Sequence, residues 1–462
     1  MTYPEIIKYL ASFINYEKIP AYPYKESLKL ERIKDFLDII GNPQGFLRCI
    51  HIAGTKGKGS TCAFITYILK HAGYKVGLYT SPHLSDFRER IRILNPKSLP
   101  VRQAGKIPNP KSTEDFEGMI SKYELTELIL RLKPFIEKYN ESSKYGPLSF
   151  FEVYTSLAFV YFKERKVDFA VLETGLGGRL DATNVVNPYV CAITSLSYEH
   201  TQKLGNSLRE IATEKAGIIK VQNRKPRNQK LVVISAPQEK EAMGVIRNKC
   251  KEVGAILYEA AEDITFQKIN NGFSVKGIFG EYPDLKTRLL GNHQLVNATV
   301  AIAVIEALRL HNIGVGIDSI RDGIYNTVWP GRCEVISKNP LIVLDGAQNI
   351  ASVRALKETI KEDFKYKKLI LVLGISCDKD IKGMCNELNA LADEVILTRA
   401  NNPRASSPDT LARYFNGKAV HKTDNIQGAK QKAKDTARKE DLVLVTGSLF
   451  VVGEFRDDKI QY

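Results

Sequence analysis

Short apolar runs alternate with helix-length amphipathic segments along this chain, a pattern that predicts an α/β protein with largely parallel sheets. Strands are expected at Ile50 to Ala53, Phe169 to Leu172, Val190 to Thr194 and Leu231 to Ser235. A second series falls at Leu341 to Leu344, Leu369 to Leu373, Val395 to Thr398 and Leu442 to Val445. Helical patterns such as Cys62 to His71, Asn297 to Leu310 and Ala351 to Ile360 lie between them. The stretch Leu94 to Phe116 carries four prolines (Pro96, Pro100, Pro108, Pro110) and reads as an irregular surface excursion. Trp329-Pro330-Gly331-Arg332 follows a helical pattern and precedes the second strand series. The domain boundary is therefore expected there, with a larger unit at 1–328 and a smaller one at 329–462. A cleft between two such units suits a reaction with several substrates.

Composition narrows the class. A chain of 462 residues with 44% hydrophobic and 26% charged content is long enough for two or three sizeable cores. The start of the chain lacks a basic region and a long apolar core, so no signal peptide is expected. No apolar stretch approaches membrane-spanning length. Seven scattered cysteines without a CxxC pair argue against a disulfide framework or zinc site and fit a reducing cytoplasm. The net charge of +15 is spread along the chain rather than gathered on one element, which disfavours a nucleic-acid partner. Its densest cluster, Arg224-Lys225-Pro226-Arg227-Asn228-Gln229-Lys230, falls in a polar loop. The same balance steers polyanionic small molecules toward an enzyme.

Candidate chemistry centres on Gly54-Thr55-Lys56-Gly57-Lys58-Gly59-Ser60-Thr61. An apolar run enters this stretch and a helical pattern leaves it. Glycines let backbone N–H groups curl around phosphate oxygens, and the helix N-terminus adds a favourable field. Lys58 would neutralise phosphate charge and Ser60 could hold a magnesium ion. Gly59 separates the lysine from the hydroxyl residue, which departs from the common P-loop spacing.

Other segments place polar groups directly after apolar strands. Glu173 ends the first such strand, where ligands of open α/β sheets bind, and could meet a phosphate-bound magnesium or merely cap a loop. His200 follows the next strand; alone it reads equally as a structural hydrogen-bonding residue. Lys215 lies on a half-buried helical pattern. Residue physics favours a snorkelling side chain there, the alternative being a desolvated amine able to take up carbon dioxide as a carbamate. Gly291-Asn292-His293-Gln294-Leu295-Val296-Asn297-Ala298 offers donors and acceptors suited to a nucleobase edge, or helix caps. Leu344-Asp345-Gly346-Ala347-Gln348-Asn349 and Thr446-Gly447-Ser448-Leu449 repeat the strand-then-polar-turn arrangement.

Together these segments resemble folylpolyglutamate synthase and dihydrofolate synthase, within the Mur-type ATP-dependent amide ligases. The matching pieces also include Thr80-Ser81-Pro82-His83-Leu84, Phe87-Arg88-Glu89-Arg90-Ile91, Ser149-Phe150-Phe151-Glu152, the Glu173 to Asn184 stretch and Glu214-Lys215-Ala216-Gly217-Ile218. Their order along the chain is the family's. The resemblance implies an N-terminal P-loop Mur-ligase ATPase domain, a C-terminal Rossmann-like domain, and ATP-driven addition of L-glutamate to a folate, with dihydropteroate as a further acceptor. It implies that Lys58 and the 54–61 loop hold ATP phosphates. Ser60 and Glu173 would ligate one magnesium, and His200 with carbamylated Lys215 a second. Asn292 and Asn297 would lie near adenine, while Arg332 and Asp345 complete the ATP site. Ser81, Pro82, His83 and Phe150 would face the folate, Gln348 the incoming amino acid, and Asp181 and Ser448 would also bind substrate. The partners expected are small molecules only, with neither nucleic acid nor membrane, and the chain is expected to be a monomer.

Three positions depart from the family pattern. Lys56 stands where asparagine is usual, adding charge beside the nucleotide. Glu199 replaces an aspartate before His200. Gln348 replaces a histidine associated with the incoming glutamate, which leaves another Mur-type ligase with a different amino-acid acceptor as the alternative. A cell-wall precursor enzyme would need a UDP-sugar-binding domain, for which 53 residues ahead of Gly54 are too few. A P-loop ATPase with a binding or regulatory role is the reading from a different class, and a catalytically silent relative is another.

Overall fold

The computed structural model describes residues 1–19, 22–96, 116–221 and 230–456. Most of the proline-bearing excursion and of the 224–230 basic cluster lies outside them.

The first sheet has seven strands: β1 (Cys49–Ala53), β2 (Val76–Tyr79), β3 (Ile91–Leu94), β4 (Phe169–Glu173), β5 (Val190–Ile193), β6 (Val232–Ser235) and β7 (Ile256–Glu259). They lie in the order β3-β2-β4-β1-β5-β6-β7. All pairs are parallel except β2 with β3. Every residue of β1 and β4 is buried, as expected of strands covered on both faces. Ile50 and Ile52 pack with Phe64 and Ala301 of the helices Lys58–His71 and Asn292–Ala307 on one face. Cys49 packs with Phe159 of the helix Phe150–Glu164 on the other. The alanine-rich Asn292–Ala307 helix is apolar around its circumference, which is why it is buried on all sides.

A three-stranded antiparallel sheet follows, β8 (Thr265–Ile269), β9 (Gly272–Lys276) and β10 (Glu281–Leu285). The last sheet has six strands: β11 (Glu334–Lys338), β12 (Leu341–Leu344), β13 (Leu369–Leu373), β14 (Glu394–Leu397), β15 (Ala419–Lys422) and β16 (Leu442–Thr446). Its order is β11-β12-β16-β13-β14-β15, parallel apart from β11.

Two consequences matter for function. The order β4-β1-β5 puts the carboxyl ends of three strands side by side, and these ends deliver Glu173, the 54–61 loop and the 194–200 segment. In the last sheet the neighbouring β12, β16 and β13 likewise deliver Asp345, Ser448 and the 375–380 turn. Among the described residues no helix is long and apolar enough to cross a membrane. The cysteines are all free thiols, and only Cys377 is exposed.

Candidate active site

The glycine-rich loop wraps the start of the helix Lys58–His71. Gly57 adopts φ +83°, and a Cβ on it would meet Asn297 Oδ1 at 2.1 Å. Only glycine fits such a turn under so close a neighbour. The amides of Thr55 and Lys56 both donate to Ser195 O, at 3.1 and 3.0 Å, and are thereby engaged. Thr61 N–H donates to Gly57 O at 2.9 Å. The amides of Lys58, Gly59 and Ser60, in the first helical turn, have no intrahelical acceptor and are the donors left for an anion. Thr61 Oγ1, Thr174 Oγ1 and Ser197 Oγ, from the ends of these same elements, are buried without a partner among the described residues.

Carboxylate, imidazole and amine gather beside this loop. Lys58 Nζ lies 3.9 Å from Glu173 Oε1, and Ser81 N–H donates to Glu173 Oε2 at 3.2 Å. Burial raises the Glu173 pKa against the opposing pull of Lys58 and Arg332. Lys215 overturns the snorkelling expectation: it is 5% exposed, and its ammonium donates to Gly54 O at 2.8 Å. Desolvation, with Lys58 nearby, brings its pKa down to about 7. His200, in the left-handed region at φ +54°, is exposed. Desolvation and the neighbouring lysines lower its pKa against the attraction of Glu199.

Lys56 does not add free charge beside the glycine-rich loop. Its ammonium pairs with Glu199 Oε2 at 2.9 Å, and Lys379 Nζ reaches Glu199 Oε1 at 3.5 Å from the last sheet. Burial opposes ionisation of Glu199, yet Lys56, His200 and Lys379 together hold its carboxyl well below the usual range.

On the far side of the cleft the 80–84 turn contains a cis Ser81–Pro82 bond. His83 Nδ1 accepts from Arg90 Nε at 2.9 Å, and its ring packs 4.6 Å from Phe87. Phe150 corrects the expectation that it faces substrate: it is fully buried, with the Arg90 guanidinium 5.2 Å from its ring. An aromatic at the first position of the Phe150–Glu164 helix turns into the core, and its neighbour Phe151 stays half-buried against Gly175. Asp181 is buried, with Oδ2 accepting from the amides of Gly175 and Leu176 at 2.8 and 2.9 Å and Oδ1 from Thr183. It shapes the 175–184 loop.

The last sheet contributes Arg332, whose field reaches Glu173 and whose Nη1 donates to Gly331 O. Asp345 accepts from Cys333 N–H and Ala347 N–H, both at 2.9 Å, and so sets the turn that carries Gln348. Gln348 is half-buried, and among the described residues its side-chain amide has no partner. Ser448 is buried, and its Oγ accepts from Phe450 N–H. Asn297 lies beneath Gly57, 5% exposed, donating to Gln294 Oε1 at 3.0 Å. Asn292 is exposed and engages Glu362 and Lys268 at the junction with the helix Ile350–Asp363. A nucleobase near these asparagines would meet a loop support and a junction residue.

A narrow cleft opens between the two large sheets, lined by Pro82, Leu84, Arg92, Phe116, Trp329 and Arg332 among others. A chain of polar contacts crosses beside it. Arg90 pairs with Glu17, Arg404 Nη1 donates to Glu17 O at 2.6 Å, and Arg404 pairs with Asp378. Lys379, the next residue, then reaches Glu199. Sequence reasoning missed Glu17, Asp378, Lys379 and Arg404. For Asp378-Lys379-Asp380 the signal was present, since it follows an apolar strand as Asp345 does.

Comparison with known proteins agrees with this arrangement. The Mur ligase middle domain matches residues 147–305, and the Mur ligase glutamate ligase domain matches residues 331–449. The dihydrofolate synthase/folylpolyglutamate synthase of Bacillus subtilis is 35% identical over 437 residues, covering 92% of this chain and 94% of that one. The structure of Mycobacterium tuberculosis folylpolyglutamate synthase complexed with ADP superposes with a TM-score of 0.83 at 29% identity, covering 98% of this chain and 97% of that one. Escherichia coli FolC in complex with DHPP and ADP gives 0.78 at 27% identity, covering 98% and 96%.

Proposed function

We propose, for a chain that belongs to the Mur ligase family and to its dihydrofolate synthase/folylpolyglutamate synthase branch, an ATP-dependent ligase that adds L-glutamate to folates and to dihydropteroate. The observation that carries this reading is the meeting of Lys58, Glu173, His200 and Lys215 around the first turn of the phosphate-loop helix. It is supported by relatives with both activities in their names and by a similar structure that holds ADP.

The donor set fits magnesium, a hard cation that takes oxygen ligands and keeps several waters. Ser60 and Glu173 would hold one ion together with phosphate oxygens; the unpartnered hydroxyls of Thr61, Thr174 and Ser197 suit a polar, hydrated ligand. Among the described residues no three His, Cys, Asp or Glu side chains cluster as a metal site. A second ion at His200 therefore needs the oxygen pair that carbamylated Lys215 would supply. Bound magnesium would neutralise charge on the transferring phosphoryl group.

The acceptor carboxylate attacks the γ-phosphorus of ATP, the bond to ADP breaks, and an acyl phosphate forms. Lys58 and the free amides of the helix start face the charge that builds on the phosphoryl oxygens. The deprotonated amine of glutamate then attacks the acyl carbon, and inorganic phosphate leaves with the C–O electron pair. Lys215, Glu173 and His200 form the floor of this site, and Arg332 closes it from the last sheet. Residues 329–462 act as the second domain, bringing the amino-acid side, where Gln348 presents its free amide.

The deciding experiment follows phosphate release and product mass with ATP, magnesium and L-glutamate, offering dihydropteroate and tetrahydrofolate in parallel. A gain of one glutamyl unit is expected on both. Phosphate release without that product would instead point to a different amine.

A further inference from the structure

Lys203 lies one turn beyond His200, on the helical turn Thr201–Leu204, and is half-buried. Its ammonium sits 3.9 Å from the centre of the Tyr22 ring, which stacks on Tyr16 at 4.5 Å. Among the described residues no carboxylate pairs with it. The charged groups that act on it are Arg404, Asp378 and Lys379. Asp378 is taken by the Arg404 guanidinium, and Lys379 by Glu199. A half-buried cation is thus pressed by two further cations while the nearby carboxylates serve other partners. Among the described residues its ammonium donors have no acceptor, and they are open to an anionic ligand. Burial and these like charges lower the Lys203 pKa only to about 8, so the side chain stays mainly protonated at neutral pH.

The place of this charge in the fold selects the anion. On the ligase reading, ATP phosphates belong with Lys58. Gln348, on the last sheet, faces the amino-acid side. Lys203 instead adjoins Tyr22 and, through it, Tyr16, whose neighbour Glu17 ties through Arg90 to His83 of the 80–84 turn. This is the acceptor-acid side, and the Tyr16–Tyr22 ring pair walls it.

We propose that Lys203, backed by Arg404, is a subsite for a carboxylate of the glutamyl chain that an acceptor folate already carries. The assignment rests on the ligase reading above and adds a specificity residue to it. No bond is made or broken at Lys203. Its ammonium donates to the tail carboxylate, and a pteroate acceptor, which has no glutamyl tail, leaves it unused.

The test is calorimetric binding in the presence of magnesium and a non-hydrolysable ATP analogue, comparing wild type, Lys203→Met and Lys203→Arg. Titrants are dihydropteroate, tetrahydrofolate bearing one or two glutamyl residues, and L-glutamate. Loss of a charge-assisted hydrogen bond at a half-buried position should raise Kd for the glutamylated acceptors about tenfold in Lys203→Met. Dihydropteroate should move less than about twofold, within the range of an exposed substitution. Lys203→Arg should restore most of the loss, and unchanged melting of both variants confirms the fold. Equal weakening for dihydropteroate, or no weakening at all, overturns the subsite. So does a shift confined to L-glutamate, which would hand the charge to the incoming amino acid. Failure of the ligase reading is seen separately, as absence of any glutamylated product from wild type.

Discussion

The Lys215 ammonium donates to the Gly54 carbonyl at 2.8 Å, tying the helix Leu208–Ala216 to the first residue of the phosphate loop. A buried amine with a pKa near 7 is substantially neutral at physiological pH, the form that takes up carbon dioxide. Carbamylation, read by a carbon-13 carbonyl signal under labelled bicarbonate, should rise from pH 6 to pH 8. Activity should rise with it. Lys215→Ala should lose activity that a short carboxylate partly restores. The unmodified amine also has a stability signature. Between pH 7 and about 10.5 the unfolded chain binds this proton and the folded one does not, so stability should increase with pH across that window. In bicarbonate-free buffer Lys215→Met should flatten that rise in the denaturation midpoint.

Among the described residues the Lys58 ammonium pairs only with Glu173, at 3.9 Å, and the residue is half-buried. Its removal should leave the fold intact while stripping phosphate neutralisation from the transition state. Lys58→Ala is expected to lower kcat by roughly 10²–10³, the scale of losing one preorganised electrostatic contact. A variant with near-normal kcat would remove the phosphate-loop assignment.

Glu199 holds Lys56 on one oxygen and Lys379 on the other, so one carboxylate joins the phosphate loop to the last sheet. Because its pKa is depressed, acidification to pH 5 should leave the link intact. Lys379→Met should raise KM for ATP severalfold without a matching change in melting. A double-mutant cycle of Lys56→Met with Lys379→Met should reveal coupling of about 1 kcal/mol, as for residues sharing one network. Additive effects would mean that the two lysines act independently.

Gln348 presents an amide with no partner among the described residues, on a turn fixed by Asp345. Gln348→Ala should therefore raise KM for L-glutamate and spare KM for ATP. Steady-state titration of each substrate separates the two, and a change confined to ATP would place Gln348 on the nucleotide side.

Much of this was legible in the sequence, for identifiable reasons. Strands β1, β4, β5, β6, β13 and β16 are buried along their whole length, β12 and β14 toward their carboxyl ends, and all read as plain apolar runs. The edge strands β8, β11 and β15 escaped because their pattern is mixed: β8 is almost wholly exposed and the other two are part-exposed. Lys58, Glu173 and His200 could be named as candidates because each sits beside a strand or helix end, whereas Lys215, on a half-buried helical pattern, entered only through the family resemblance. The pairing of Lys56 with Glu199 was not visible, since 143 residues separate them and only the adjacency of β1 and β5 joins them. Phe150 and Phe151 are indistinguishable by composition, and the helix start alone decides which one turns inward. The cross-cleft contacts of Glu17 and Arg404 span 387 residues and depend on how the two sheets face each other.

Trp329 is the only tryptophan, and a Cβ on Gly59 would lie 2.9 Å from its Cζ2 atom. The indole thus rests on the first turn of the phosphate-loop helix, on the segment leading into the last sheet. Its emission should respond to anything that orders that turn. ADP with magnesium is expected to shift the emission maximum or intensity in a saturable way. Lys58→Ala should shift the half-saturation point to higher ADP. Gly59→Ala forces a methyl group against the ring, so its spectrum should differ from wild type before nucleotide is added, with weaker ADP binding. A spectrum blind to ADP while calorimetry records binding would show that nucleotide leaves the Gly59–Trp329 contact undisturbed, and would separate phosphate binding from movement of the last sheet.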